Sequence, residues 1–329
     1  MDSSVLLNIE DFRVYYTSVR GEYKVVDGVS FPVYKGEIVG LAGESGCGKS
    51  TLVEGLLRLV KPPGYIKSGS AISQDLTQGF GQSDLVKLTE SEFRKLRWAR
   101  LSYIPQGSMN SLNPVMKIED QIKDGIIAHE GRSSEEQLQA RVRELLSAVG
   151  LPQEVRSMYP HELSGGMKQR AIIATEVALR PQLIVADEPT TALDVTVQRI
   201  IIQTLARIQK ELGAAIVLVT HDMPVHAQLA DRLVIMYAGK VVEIGTVDDL
   251  FHDPFHPYSQ GLVATIPSIT GQRKRIEGIP GIAPSPLTWP SGCRFHPRCK
   301  HAMGICRAEE PEMRQMAEGR SVACHLYDG

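Results

Sequence analysis

The eight residues GESGCGKS, Gly43 to Ser50, constrain this chain more than any other stretch. They match G-x-x-x-x-G-K-[ST], follow the apolar run EIVGLAG, and open a segment of helical character. Glycines in such a loop let backbone N–H groups turn inward around phosphates, and the helix start adds the positive end of its dipole. Lys49 then reaches the β- and γ-phosphates, and Ser50 offers its hydroxyl to Mg²⁺. The candidate nucleotide contacts here are Gly43, Ser45, Gly46, Cys47, Gly48, Lys49, Ser50 and Thr51.

The rest of the chain supplies a matching frame. LIVAD (Leu183 to Asp187) and AIVLVT (Ala215 to Thr220) read as strands that are apolar on both faces. Strands of this kind alternating with helical patterns argue for an α/β core. LDVTVQRIIIQTLARIQKELG has apolar residues at helical spacing and stops at Gly213. Between Gly107 and Pro160 strand character gives way to helix, with EEQLQARVRELLSAVGL clearly amphipathic. The strand LIVAD ends in Asp187 and Glu188, which places two acids at the mouth of the sheet. Asp187 suits Mg²⁺ held through its water shell, and Glu188 suits polarisation of an attacking water. Acids at strand ends are commonplace alone; a phosphate loop in the same chain gives them meaning.

Composition excludes several classes. Of the 329 residues 43% are hydrophobic and 22% charged, which is ordinary for a globular chain. A net charge of −2 gives no overall basic footprint, so no nucleic-acid partner is expected. No apolar run approaches the ~20 residues of a membrane span. The start MDSSVLLNIEDF lacks a secretory pattern, and an intracellular chain is expected.

LSGGMKQR, Leu163 to Arg170, is a second Gly-rich turn entering a helix, with Ser164 as candidate N-cap. Here the sequence closely resembles the ATP-binding-cassette family, whose signature stands between the two nucleotide motifs as it does here. YIPQ (Gln106), TALD (Asp194) and VTHD (His221) appear in the family's order. The resemblance implies a P-loop NTPase fold of α/β class, with an inserted helical subdomain and ATP and Mg²⁺ as cofactors. It implies that Tyr16 stacks on adenine, with Tyr23 as the alternative. Gln106 would sense Mg²⁺ alongside Ser50 and Asp187, His221 would contact the γ-phosphate, and Glu188 would serve the attacking water. Ser164, Gly165, Gly166 and Asp194 would serve the nucleotide of a composite site, because the signature of one subunit caps the nucleotide of another. Thr191 stands where the family usually has Ser, and the hydroxyl is kept.

GSMNSLNP after Gln106, HPYSQGLVATIP (His256 to Pro267) and a terminal cysteine group resemble the ATPase subunits of oligopeptide and dipeptide importers. That resemblance implies an ATP-hydrolysing subunit at the cytoplasmic face of the cell membrane. It would pair with a second homologous ATPase and serve two permease subunits and an external substrate-binding protein. Oligosaccharide or nickel is the alternative cargo. A cassette ATPase outside transport and an ATP-binding regulatory subunit are the lesser readings. The expected organisation is an ATPase domain over 1–250, helical insertion about 107–170, and an irregular Pro- and Gly-rich extension over 251–329.

Of five cysteines, Cys293, Cys299, Cys306 and Cys324 fall in the extension, separated by five, six and seventeen residues. In a reducing compartment clustered cysteines read as metal ligands rather than disulfides. Tight zinc sites usually draw a pair from two to four intervening residues, so these gaps suit zinc less well. Four thiolates around a bulkier body suit a [4Fe–4S] cluster, and the subfamily resemblance points the same way. His296, His301 and His325 keep Zn²⁺ as the alternative.

Overall fold

A computed structural model describes residues 4–107, 111–131, 133–266 and 278–328. Ser108 to Asn110 of the GSMNSLNP stretch and Pro267 of HPYSQGLVATIP therefore lie outside the described residues. The strands are β1 (Val5–Ser18), β2 (Gly21–Tyr34), β3 (Ile38–Ala42), β4 (Gly64–Ile72), β5 (Leu101–Ile104) and β6 (Leu183–Asp187). They continue as β7 (Ala215–Val219), β8 (Arg232–Tyr237), β9 (Lys240–Thr246), β10 (Arg314–Ala317) and β11 (Arg320–Val322). The chain forms two compact units. The first is Met1–Leu6, Tyr34–Gly36 and Ser73–Val217; the second is Leu7–Val33, Glu37–Ile72 and Leu218–Gly329.

In the first unit β5 and β6 run parallel, with Leu101 opposite Leu183 and Ile104 opposite Ala186. Every residue of β6 is buried, which its unbroken apolar run requires. The helical segment contains Ile118–Glu130, Glu135–Ala148 and Gly165–Glu176. The helix Glu135–Ala148 starts where Ser134 accepts from Gln137 N–H while Gln137 reaches back to Ser134 N–H. Such a capping box satisfies two N–H groups that a helix start leaves orphaned. Leu138, Val142 and Leu146 form its buried stripe, one turn apart. Each such aliphatic side chain contributes roughly 1.5–3 kcal/mol by leaving water. The helix Val195–Leu212 begins at Asp194 and ends on Gly213, whose φ of 63° lies where glycine is favoured.

The second unit holds a sheet of order β2-β1-β4 and another of order β10-β11-β9-β8-β3. β3 and β8 are parallel, Val39 facing Arg232 and Ala42 facing Ile235. β8 returns antiparallel as β9 through Ala238 (φ 50°) and Gly239 (φ 83°), the double positive φ that suits a two-residue hairpin.

The extension is more ordered than its composition predicts. It forms the helices Val247–His252, Pro257–Ala264 and Ile305–Ala308, and β10 and β11 lengthen the sheet beyond β9. Ser321 pairs with Ile244 and Val322 with Glu243. All four residues of β10 are exposed, so the strand carries no alternation of apolar and polar residues to announce it. Tyr258 and Phe295 of the extension pack with Tyr237 and Leu250 in one buried cluster, against which Cys293 and Cys299 lie. The extension therefore shares its core with the strands beside β3.

Candidate active site

The phosphate loop belongs to the second unit. β3 is buried throughout and delivers Gly43 to the sheet edge, where φ is 148°. A Cβ at Gly43 would stand 2.2 Å from the carbonyl oxygen of Met236, and one at Gly48 2.6 Å from that of Val25. Only glycine lets the loop lie this close to β8 and β2. Ser45 and Gly46 are exposed at the tip. The helix Lys49–Leu56 starts after Gly48 with no side chain capping it. This helix start carries the positive end of the dipole, roughly half a charge. Lys49 is buried at 6% exposure, and its Nζ donates to the carbonyls of Gly43 (2.7 Å) and Glu44 (3.1 Å). A buried ammonium folded back on its own loop, at the positive end of a helix, fits a polyphosphate. Burial pushes the Cys47 thiol up, and Cys47 serves the loop through its backbone, where Gly239 N–H donates to Cys47 O at 2.9 Å.

His221 is exposed just after β7, ahead of the helix Met223–Leu229. Tyr16 is half-buried on β1, its ring over the cross-strand partner Gly64, where a Cβ would stand 2.6 Å from Tyr16 Cε1. Tyr23 is also half-buried and lies two residues before Val25, whose carbonyl backs Gly48.

The other candidates belong to the first unit. Asp187 ends β6 almost fully buried, and Tyr103 Oη donates to its carboxylate at 3.4 Å. Glu188 has φ 49°, an unusual conformation for a residue with a side chain. Thr191 Oγ1 donates to the Glu188 carboxylate at 2.9 Å, so the hydroxyl at position 191 orients the acid. Gln106 is exposed two residues beyond β5. Ser164 caps the helix Gly165–Glu176, accepting from Met167 N–H at 3.4 Å. Asp194 caps Val195–Leu212 in the same way, accepting from Val197 N–H at 2.9 Å. The two starts are brought together: a Cβ at Gly166 would stand 2.4 Å from Val197 Cγ1.

In the extension the four cysteines are free thiols. Cys324 lies in the electrostatic reach of Cys293, Cys299 and Cys306. Backbone N–H groups point at their sulfurs: His301 at Cys299 and Met303 at Cys306, both at 3.4 Å, with Phe295 and His296 at Cys293 and Leu326 at Cys324. Burial raises the thiol of Cys324 to about 11 and raises those of Cys293 and Cys299. Among the described residues no three of His, Cys, Asp or Glu stand in a geometry that holds a metal ion. His325 is committed elsewhere, Nδ1 to Asp328 Oδ2 and Nε2 to Glu309 O, which removes it from the zinc alternative.

Residues 26–191 match the family model described as ABC transporter, and residues 242–306 match Oligopeptide/dipeptide transporter, C-terminal region. The chain belongs to the ABC transporter family. It is 40% identical over 326 residues to the dipeptide transport ATP-binding protein DppD of Caldanaerobacter subterraneus subsp. tengcongensis, covering 99% of this chain and 98% of that protein. It is 41% identical over 328 residues to the oligopeptide transport ATP-binding protein AppD of Bacillus subtilis, with the same coverage of 99% and 98%. Among solved structures it resembles the ATP-binding cassette MJ0796 in a dimeric post-hydrolysis state bound to ADP and Pi. There the TM-score is 0.63 at 26% identity, covering 73% of this chain and 98% of that one.

In this ABC ATPase several contacting residues escape motif reading. Tyr103 carries no pattern beyond its place on a strand. Glu44 is one of the loop's variable positions, and its partners Tyr258 and Arg298 lie far along the chain. The nearest signals were the tyrosine of HPY and an arginine beside a cysteine in HPRCK.

Proposed function

We propose that this chain is the ATP-hydrolysing subunit of a peptide importer, peripheral to the cytoplasmic face of the membrane. The observation that carries the cargo is the full-length similarity to dipeptide and oligopeptide transport ATP-binding proteins, together with the matching C-terminal region. Among the described residues no helix is long and apolar enough to cross a membrane, so membrane attachment is assigned to permease partners. The working assembly comprises a second homologous ATPase, two permeases and an external substrate-binding protein. We read the chain as an ATPase domain over 1–250, with its helical insertion about 107–170, and an extension over 251–329.

When bound, MgATP supplies the phosphoanhydride bond whose cleavage drives the cycle. The loop residues Gly43 to Thr51 hold its phosphates, Lys49 with its charge and Ser50 with its hydroxyl toward Mg²⁺. Asp187 and Gln106 are the further residues that would hold Mg²⁺, which would offset charge on the phosphates. Glu188, aimed by Thr191, orients water and takes up its proton; His221 holds the γ-phosphate oxygens. Tyr16, with Tyr23 as alternative, stacks on adenine. Ser164, Gly165, Gly166 and Asp194 serve the nucleotide held by the partner ATPase, so neither subunit completes a site alone. Replacing Lys49 with Ala in cells should abolish uptake of a radiolabelled tripeptide. Unchanged peptide uptake, with loss of nickel or oligosaccharide uptake instead, would overturn the cargo assignment.

The four extension cysteines we assign to a [4Fe–4S] cluster. Support comes from their number and spacing in the sequence and from the backbone N–H groups directed at the sulfurs of Cys299 and Cys306, while among the described residues their geometry is not that of a metal site. Anaerobically purified protein should be brown and contain about four irons per chain. Colourless protein with one zinc, or with freely titrating thiols, would exclude the cluster.

A further inference from the structure

The extension takes hold of the phosphate loop at one residue, Glu44, and does so from two sides. Tyr258 is fully buried, and its Oη accepts from the Glu44 backbone N–H at 2.7 Å. Arg298 meets the Glu44 carboxylate with both arms of its guanidinium, Nη1 to Oε2 at 2.7 Å and Nη2 to Oε1 at 2.9 Å. The carbonyl of the same residue accepts from Lys49 Nζ, so Arg298, Glu44 and Lys49 form one chain of contacts.

Arg298 is itself held rigidly. Its side chain is 5% exposed, its Nε donates to Pro280 O at 2.8 Å, and Nη1 also reaches Tyr237 Oη at 3.3 Å. It ends the short turn His296–Arg298, directly before Cys299. A planar fork seated on a carboxylate fixes direction as well as distance, which a lysine in its place would not. Nothing in this arrangement is needed merely to attach the extension. Arg294 on Asp27 and Ala238 O, and Trp289 on Lys24 O, already anchor it elsewhere.

We propose that Arg298 is a positioning residue for the phosphate loop, through which the cysteine-bearing extension sets how tightly the loop holds nucleotide. The inference rests on reading that loop as the ATP site. Without the fork, Glu44 is free to turn, and Lys49 and the loop N–H groups lose their fixed aim.

The test is titration of the purified full chain with a fluorescent ATP analogue and Mg²⁺. Arg298→Gln should raise Kd about tenfold, the scale of one hydrogen-bonded charge pair. Glu44→Gln should do the same, and the double variant should be no weaker than either single one, since both remove one interaction. Arg320→Gln, which alters the extension away from the loop, should stay within about twofold of wild type, because its partners Asp249 and Asp253, among the described residues, make no contact with Glu44 or Lys49. An unchanged Kd in Arg298→Gln, additive losses in the double variant, or an equal loss in Arg320→Gln would overturn the proposal. Should Arg298→Gln fail to fold, Glu44→Gln decides alone: a raised Kd supports the clamp and an unchanged one overturns it. Wild-type protein that binds no nucleotide, or Lys49→Ala that binds as wild type does, would remove the ATP reading and the clamp with it.

Discussion

At the scale of single residues, Glu188 carries the chemistry proposed for this ABC ATPase. Its positive φ costs on the order of 1–3 kcal/mol, which the backbone around β6 must over-determine. The conformation and the Thr191 hydroxyl together fix where the carboxylate points. Glu188→Gln keeps shape and hydrogen bonding but cannot accept a proton. Steady-state ATPase assays with all partners present should show turnover reduced about a hundredfold or more, with MgATP binding retained. Near-normal turnover would remove Glu188 from its role. Lys49, Ser50, Asp187 and Glu188 stand out in the sequence as candidates because each motif is local and its chemistry needs those residue types. The Arg298–Glu44 pair does not, because its members stand 254 residues apart and an arginine beside a cysteine looks like any other.

At the scale of elements, the signature helix Gly165–Glu176 links to β5 through one buried acid. Glu176 Oε2 accepts from Ser102 Oγ at 2.8 Å and Tyr103 N–H at 3.4 Å, and Tyr103 Oη in turn reaches Asp187. Burial pushes the Glu176 carboxyl up to about 7, which those hydrogen bonds only partly oppose. Its place at the negative end of the helix dipole acts in the same sense. The folded state therefore binds this proton more tightly than the unfolded chain, whose glutamate titrates near about 4.3. The resulting stability is complete below that value and is lost as pH rises through about 7. Melting curves from about pH 4.5 to about pH 7 should show wild type losing stability relative to Glu176→Gln, with no further loss above that range. Parallel pH profiles for the two proteins would contradict it. The helices themselves could be read from sequence because Ser134, Ser164 and Asp194 mark their starts and Gly213 marks one end. The hairpin of β10 and β11 could not, since an exposed strand that pairs only at an edge leaves no pattern of burial.

At the scale of the whole molecule, the proposed function makes the loop, the acids and the signature parts of a machine that other chains complete. The exposed tip of the phosphate loop and the capped signature turn suit nucleotide shared between subunits, in which ATP binding favours one state and its loss another. The shared core of Tyr237, Tyr258 and Phe295 makes the extension part of that machine, because the strands it packs against are those that carry the phosphate loop. The most direct measurement is ATP hydrolysis by the purified complex of both ATPases and both permeases in lipid, with its substrate-binding protein. Hydrolysis should rise when the binding protein is loaded with peptide and stay basal when it is empty. Hydrolysis indifferent to peptide, but raised by nickel or an oligosaccharide, would contradict peptide import.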